Sequence, residues 1–515
     1  MLAPLTANRQ RSRIAAVFSM SSPVKGLNSR DSLSDTPVGY ALTMDNFIPE
    51  LGSVSLRGGF MSHATGMDGA IETLATYNAV DGSEKLFAFN GSDIYDCTLA
   101  GAAASVYSTG ITSQRWQTIN FSTQSTLHIL AVNGQDTPLK YNGTSWTTNS
   151  ITGSIVPADM IGIFAHKERV WLIEKESLNV WYLASGAVGG AATKYPLTGV
   201  FNLGGSIVAG SDFSLSGTGE GMDSLWVIVT NKGEVAIYSG TNPATDFTLI
   251  GLYRIGEPLG YRCLVKYGGD LNVLTSEGIV SLRRILSFDR TRQAETSITD
   301  LIAPSFNADV KRYGSNYGWE GIIYPRGHYA LFNVPVSDNV TQTQWVQNTI
   351  TGGWCRFKGW NANTFALMAS RLYFGGNDGV VYKADSGLND DGSQITGEIK
   401  TAFTYCKTPG IQKQFTLFRP VITASGSPAI DMALNVDFAD DPATSSLSAV
   451  VNGDTLWGSA RWGSGKWGGT GLLIRDWISS GIIGNAVAIK IRVATDGIAI
   501  NVNAFDLTFE RGGVL

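Results

Sequence analysis

Leu225-Trp226-Val227-Ile228-Val229, then Asn231-Lys232-Gly233, then Val235-Ala236-Ile237-Tyr238 is an apolar run, a turn and a second apolar run. Five-residue runs rich in Val, Ile and aromatic residues favour strands, and a short Asn/Gly connection favours a hairpin. The same figure recurs on both sides. Leu86–Phe89 meets Asn90-Gly91, Leu127–Val132 meets Asn133-Gly134, Leu271–Leu274 meets Glu277-Gly278, and Leu372–Phe374 meets Asn377-Asp378-Gly379. The anchors fall about 41 to 58 residues apart, near the ~40–50 of a propeller blade. Hairpins at this period bury both faces by packing radially, one sheet against the next. The reading is an all-β chain with an irregular β-propeller of six or seven blades over 68–387. The alternative is a long array of β-sandwiches.

Beyond 388 the strands lengthen. Ser393–Tyr405, Phe415–Thr423, Ile430–Phe438, Ala486–Ala494 and Ile498–Phe509 suit a C-terminal β-sandwich over 388–515. Weak helix candidates stand near Asp300–Phe306 and Arg475–Ser480. Residues 1–67, rich in Ser, Gly and Pro, read as an extended N-terminal arm without a core of its own. Its first 37 residues are expected to dock in assembly. Residues 38–60 are the alternative source of an outer strand that closes the propeller.

The composition agrees with many short strands and tight turns. Of 515 residues 60 are Gly, and only 16% are charged, against roughly 25% in an average domain. The net charge of −5 gives no bulk attraction for nucleic acid. Cys97, Cys263, Cys355 and Cys406 show no pairing motif, which reads as reduced thiols in a cytosol. No apolar stretch approaches the ~20 residues of a membrane-spanning helix.

Catalytic and metal signals are missing from the sequence. His63, His128, His166 and His328 have no ligand spacing. Gly217–Gly221 and Gly468–Gly471 lack the Lys-Ser/Thr ending of a phosphate loop. No carboxylate pair stands out as an acid/base couple. The expectation is a protein that is not an enzyme and takes no cofactor. Trp457-Gly458, Trp462-Gly463 and Trp467-Gly468 recur every five residues. Trp brings apolar area with a polar N–H, which suits a subunit-contact loop. A self-packed aromatic turn is the plainer reading, and a carbohydrate-stacking platform the third.

The N-terminal stretch carries a resemblance. Gly26, Leu27 and Asn28 precede Arg30 and Asp31. Then come Met44, Asp45, Asn46, Phe47, Ile48, Pro49 and Glu50, and then Gly52, Val54, Arg57, Gly58, Gly59 and Phe60. This resembles the opening of the tail nozzle proteins of short-tailed bacteriophages, also called tail tubular protein B, and of the packaged-DNA stabilisation proteins. The chain departs at Met44, Phe47 and Ile48, where that family has Leu, Trp and Phe. The match spans residues 23–60 and its motifs are structural. The resemblance implies a homohexameric ring in the virion tail, below the head-to-tail adaptor protein, made in the host cytoplasm. Double-stranded DNA would pass through it without sequence preference and be retained until ejection, and tail fibres or spikes are further partners. It marks Gly26, Leu27, Asn28, Arg30, Asp31, Asp45, Asn46, Phe47, Pro49, Gly52, Arg57, Gly59 and Phe60 as assembly or docking residues. The rival readings are a receptor- or carbohydrate-binding propeller and a propeller-type glycan hydrolase.

Overall fold

The computed structural model describes residues 15–514 apart from 109, 124–125, 215–223, 288–296 and 448–471. The chain forms two compact units. One runs from Gly58 to Ser393, and the other joins the residues up to Arg57 with those from Gln394 onward.

The Gly58–Ser393 unit is a seven-bladed propeller. Each blade is a small antiparallel sheet, and the innermost strands are Thr73–Asn78, Gln117–Ser122, Met160–His166, Ile207–Ser214, Leu264–Tyr267, Gly321–Tyr324 and Thr364–Met368. Each innermost strand neighbours the next, and the seventh returns to the first, so the ring is closed. The hairpin that opened the reading, Ser224–Thr230 and Glu234–Ser239, forms the middle of blade four. Blade five has three strands and is edged by a bridge between Val280 and Ser297. The expected helix near Asp300 is real, as Ala303–Tyr313 between blades five and six.

The core lies between blades. Trp171 of blade three and Trp226 of blade four are fully buried, with ring centroids 5.0 Å apart, and both pack on Phe247. Phe87, Phe89, Trp116 and Trp146 fill the gap between blades one and two. This is the radial packing that hairpins with two apolar faces require.

Blade seven is completed from the other end of the unit. Phe60–Thr65 pairs with Val381–Ala384 as its outer strand. Gly59 N donates to Gly387 O, and Phe60 N to Asn389 O. A Cβ on Gly59 would lie 1.7 Å from the Asn389 carbonyl oxygen, so only glycine fits this approach. Propeller closure therefore begins at Phe60, later than the 38–60 considered above.

The second unit is a β-sandwich drawn from both chain ends. One sheet contains Phe47–Pro49, Val54–Leu56, Ile500–Val514 and Ile411–Ala424, with Ala16–Ser21 beside Ile500–Val514 and Leu472–Ile474 and Ile478–Gly484 beside Ile411–Ala424. The other contains Ala41–Asp45, Ile395–Thr401, Val487–Thr495, Ala429–Val436 and Ser445–Leu447. Phe415, Ile422, Phe505 and Leu507 from the first and Ile399, Met432 and Ile491 from the second are buried. The sheets approach closely at Gly397, where a Cβ would meet the Phe47 ring at 2.6 Å.

This corrects the division 1–67, 68–387 and 388–515. The amino-terminal segment is extended, as read, but it supplies strands to its own sandwich. Their partners lie over 350 residues away in sequence, a distance that local pattern does not reach. The Arg475–Ser480 helix does not form, because Ile478–Gly484 is a strand held by Ile411–Ala424.

Candidate functional site

The innermost strands surround a central cavity of about 530 Å³. At the end where those strands begin, one side chain crosses it. Arg262 precedes the first strand of blade five. Its Nη1 donates to Glu320 Oε2 at 2.8 Å and to Thr364 Oγ1 at 3.1 Å, on blades six and seven. Its Nη2 donates to Thr73 Oγ1 at 2.7 Å and to the Trp116 carbonyl at 2.9 Å, on blades one and two. Blades five and two stand across the ring, so the guanidinium reaches across the channel at that end. The rigid fork of arginine suits this, because it reaches several acceptors at fixed angles. Burial works against the Arg262 charge, and the neighbouring Tyr317 and Glu320 more than offset it, raising its pKa above the usual arginine value.

A second layer supports this arginine. Arg115 pairs with Glu72 at 3.0 Å and lies 3.9 Å from the centroid of the Tyr317 ring. Asn339 donates to Glu72 at 3.3 Å. Burial is the main cause that pushes the Tyr317 phenol up. Further along the channel, Lys266 and Asp212 of neighbouring innermost strands form an ion pair. The four charges lining the cavity, Arg262, Lys266, Asp212 and Glu320, thus pair off with each other. The arrangement braces; it presents no nucleophile beside a base.

The histidines are dispersed. His63 Nε2 lies 3.0 Å from Cys97 O, and His166 Nε2 3.2 Å from Gly240 O. Burial is the main cause that lowers the pKa of both. Among the described residues no group of three His, Cys, Asp or Glu could hold a metal ion, and no helix is long and apolar enough to cross a membrane. The four cysteines are buried and form no disulfide with one another.

The motif residues of the amino terminus gather in two knots. Asn28 Oδ1 accepts from the N–H groups of Arg30 and Asp31 at 3.0 and 3.1 Å, and its Nδ2 donates to Asp31. Hydrogen bonds from Arg30 and Asn28 hold the Asp31 carboxyl below its usual range. Gly26 turns the chain at φ 81°. In the second knot Asn46 has φ 59°; Asn is among the side chains that tolerate this region. Its Oδ1 accepts from Arg57 Nε at 3.0 Å, its Nδ2 donates to Thr396 O at 2.8 Å, and its own carbonyl accepts from Arg57 N. Pro49 and Gly52 flank the intervening hairpin turn, where Glu50 N donates to Ser53 O. Phe60 makes edge contacts with Phe374 and Tyr382 in blade seven.

Leu27, Asn28, Asp45, Asn46, Phe47 and Arg57 are buried within their own chain. Within the single chain they help hold this fold together. Trp457, Trp462 and Trp467 lie outside the described residues. Sequence reading missed Arg262 and Glu320. The available signal was a charged residue just before an innermost strand, at Glu72, Arg115, Arg262 and Glu320.

The fold and channel define a β-propeller protein. No family model and no curated protein sequence matches the chain. Among solved structures it is similar to Sqt1 of Saccharomyces cerevisiae, at 9% identity over 63% of this chain and 99% of that one, with a TM-score of 0.38. It is also similar to the WD40 propeller domain of Doa1, at 12% identity over 63% and 96%, with a TM-score of 0.37. YCF48 from Cyanidioschyzon merolae is a third, at 11% identity over 64% and 96%, with a TM-score of 0.34. The seven closed sheets establish the propeller independently of these likenesses.

Proposed function

We propose that the chain is a structural, non-catalytic component of a short-tailed bacteriophage tail. In this reading identical subunits, six by resemblance, form a ring below the head-to-tail adaptor that continues the DNA path and helps retain the genome until ejection. It is made in the host cytoplasm and resides in the virion. The observation that carries the reading is the Asn46–Arg57 knot. The residues that resemble the nozzle family are the ones that fasten the strand pair on either side of the turn, just before the chain enters the propeller. A motif whose parts are architectural suits a family defined by architecture rather than chemistry. The paired charges of the channel fit a scaffold as well. Electron microscopy of the purified full chain, with native mass spectrometry, tests the ring. Closed rings of about six subunits are expected, and a chain that stays monomeric at all concentrations overturns the reading.

A further inference from the structure

The sandwich sheet that contains Ile500–Val514 has two open edges among the described residues. On one side Ile478–Gly484 pairs only with Ile411–Ala424. On the other Ala16–Ser21 pairs only with Ile500–Val514. An edge strand turns half of its N–H and C=O groups outward and invites another strand, so soluble proteins blunt edges with proline, lysine or inward charges. These two strands carry no proline, lysine or inward charge, though the pairing of Ile478–Gly484 with Ile411–Ala424 shifts register between Ser479 and Ile482. Ile478-Ser479-Ser480-Gly481-Ile482-Ile483-Gly484 and Ala16-Val17-Phe18-Ser19-Met20-Ser21 contain no charge and no proline. Both expose β-branched side chains: Val17 at 67%, Ile482 at 38% and Ile483 at 54%. Among the outer strands of the propeller, Thr193–Pro196 of blade three has Lys194 and Pro196 and Thr248–Arg254 of blade four ends in arginine, while Ala104–Ser108 of blade one is uncharged like the two sandwich edges.

We infer that these two edges are made for each other, with Ile478–Gly484 of one copy of this chain adding to Ala16–Ser21 of the next. Strand direction supports it. Ala16–Ser21 and Ile411–Ala424 are both antiparallel to Ile500–Val514, and Ile478–Gly484 is antiparallel to Ile411–Ala424. The two edges therefore run in opposite senses, and the sheet set beside itself brings them together antiparallel. Their lengths, 6 and 7 residues, match. Their lack of charge leaves nothing to repel. Because two different edges meet, the contact is heterologous, the kind that repeats and closes into rings. Main-chain bonds would supply affinity, and Val17, Ile482 and Ile483 the apolar contact, as in strand addition generally. The inference rests on the ring reading and names the surfaces that build it.

The test uses the full chain in two forms. Ile483→Lys places a charge on the edge at an exposed position. It is expected to keep the wild-type circular dichroism and melt while converting rings to monomers. In the second form, Val17→Cys and Ile482→Cys are combined and treated with a short bis-maleimide. Facing residues on paired strands lie about 5 Å apart, so a covalent ladder up to the closed ring is expected, with each single-cysteine chain giving dimers at most. The native thiols are buried and serve as an internal control. Rings that persist in Ile483→Lys, or rings without a ladder in the double variant, overturn the edge pairing and leave the ring standing. A wild-type chain that never assembles overturns both.

Discussion

The Arg262 guanidinium sits 2.8 Å from Glu320 in the mouth of the propeller channel, and the two side chains are only 12% and 13% exposed. A buried pair of this kind adds little compared with an apolar substitute, but removing one partner strands the other charge. Arg262→Ala should therefore destabilise the propeller by about 3 kcal/mol or more. It also frees the hydrogen-bond acceptors on blades one, two and seven. Chemical denaturation followed by fluorescence of the inter-blade tryptophans measures this. Glu320→Gln, which keeps an acceptor for Arg262, should cost less, and a variant pair Arg262→Met with Glu320→Leu should recover part of the loss. Equal costs for Arg262→Ala and Glu320→Gln would count against this bracing.

The closing strand of the propeller depends on one missing methyl group. Gly59 packs against the Asn389 backbone, and the obstacle is a carbonyl oxygen rather than a flexible side chain. Gly59→Ala must then push Phe60–Thr65 away from Val381–Ala384. The expected loss exceeds about 3 kcal/mol, the range of strained backbone and overpacked sites. Hydrogen exchange should show loss of protection at Tyr382 and Lys383, whose partners are Ser62 and Met61. Unchanged exchange in this hairpin would mean the strand tolerates the shift.

The propeller was legible because each blade carries its own evidence. Trp226 and Tyr238 announce one hairpin within a short window, and their burial follows from both faces being apolar. The sandwich was only half legible. Its C-terminal strands were visible as long apolar runs, but Ala16–Ser21 finds its partner at Ala504–Phe509, and short polar-flanked strands carry no mark of a distant mate. The Arg262 bridge was hidden for the same reason. Arg262 and Thr73 are 189 residues apart, and only closure of the ring brings them together. The motif residues Asn46 and Arg57 were found by resemblance, while their burial came from the structure.

Acid should weaken the sandwich through Asp506. Burial alone would raise its pKa, but hydrogen bonds from Ser19 and Arg419, with the arginine charge, win and lower it. A carboxylate with a depressed folded pKa contributes stability that is fully present above its unfolded value, about 3.9. That contribution is lost as pH falls through the folded value. The Ser19 contact ties the edge strand Ala16–Ser21 to this titration. Melting temperature at pH 7 and in steps below pH 4 should fall more steeply for the wild type than for Asp506→Asn, and Asp506→Asn should already be less stable at pH 7. Parallel pH profiles would remove Asp506 from the acid response.

A truncation beginning at Val38 separates an arm that docks from one that folds. A docking arm could be removed without harm to the rest of the chain. The structure gives it a role in folding as well: Ala16–Ser21 covers Ala504–Phe509 along one side of Ile500–Val514, and Ser22 N donates to Asn503 O. Met20 and Ser22 are buried beside it, and Leu27 and Asn28 are buried next to Ala41. Removing them strips a strand from the sheet and uncovers the apolar surface they occlude, at roughly 25 cal/mol per Å². It also leaves the amides of Ile500–Val514 that faced Ala16–Ser21 without partners, a loss of about 1 kcal/mol for each hydrogen bond. The truncated chain should therefore melt at a lower temperature. By hydrogen exchange, protection should fall at the amides of Ala504–Phe509 that bonded the lost strand, while Trp171 and Trp226 in blades three and four keep theirs. If Ala504–Phe509 stays protected, the segment before Val38 is dispensable for folding, and its contribution must be sought in assembly alone.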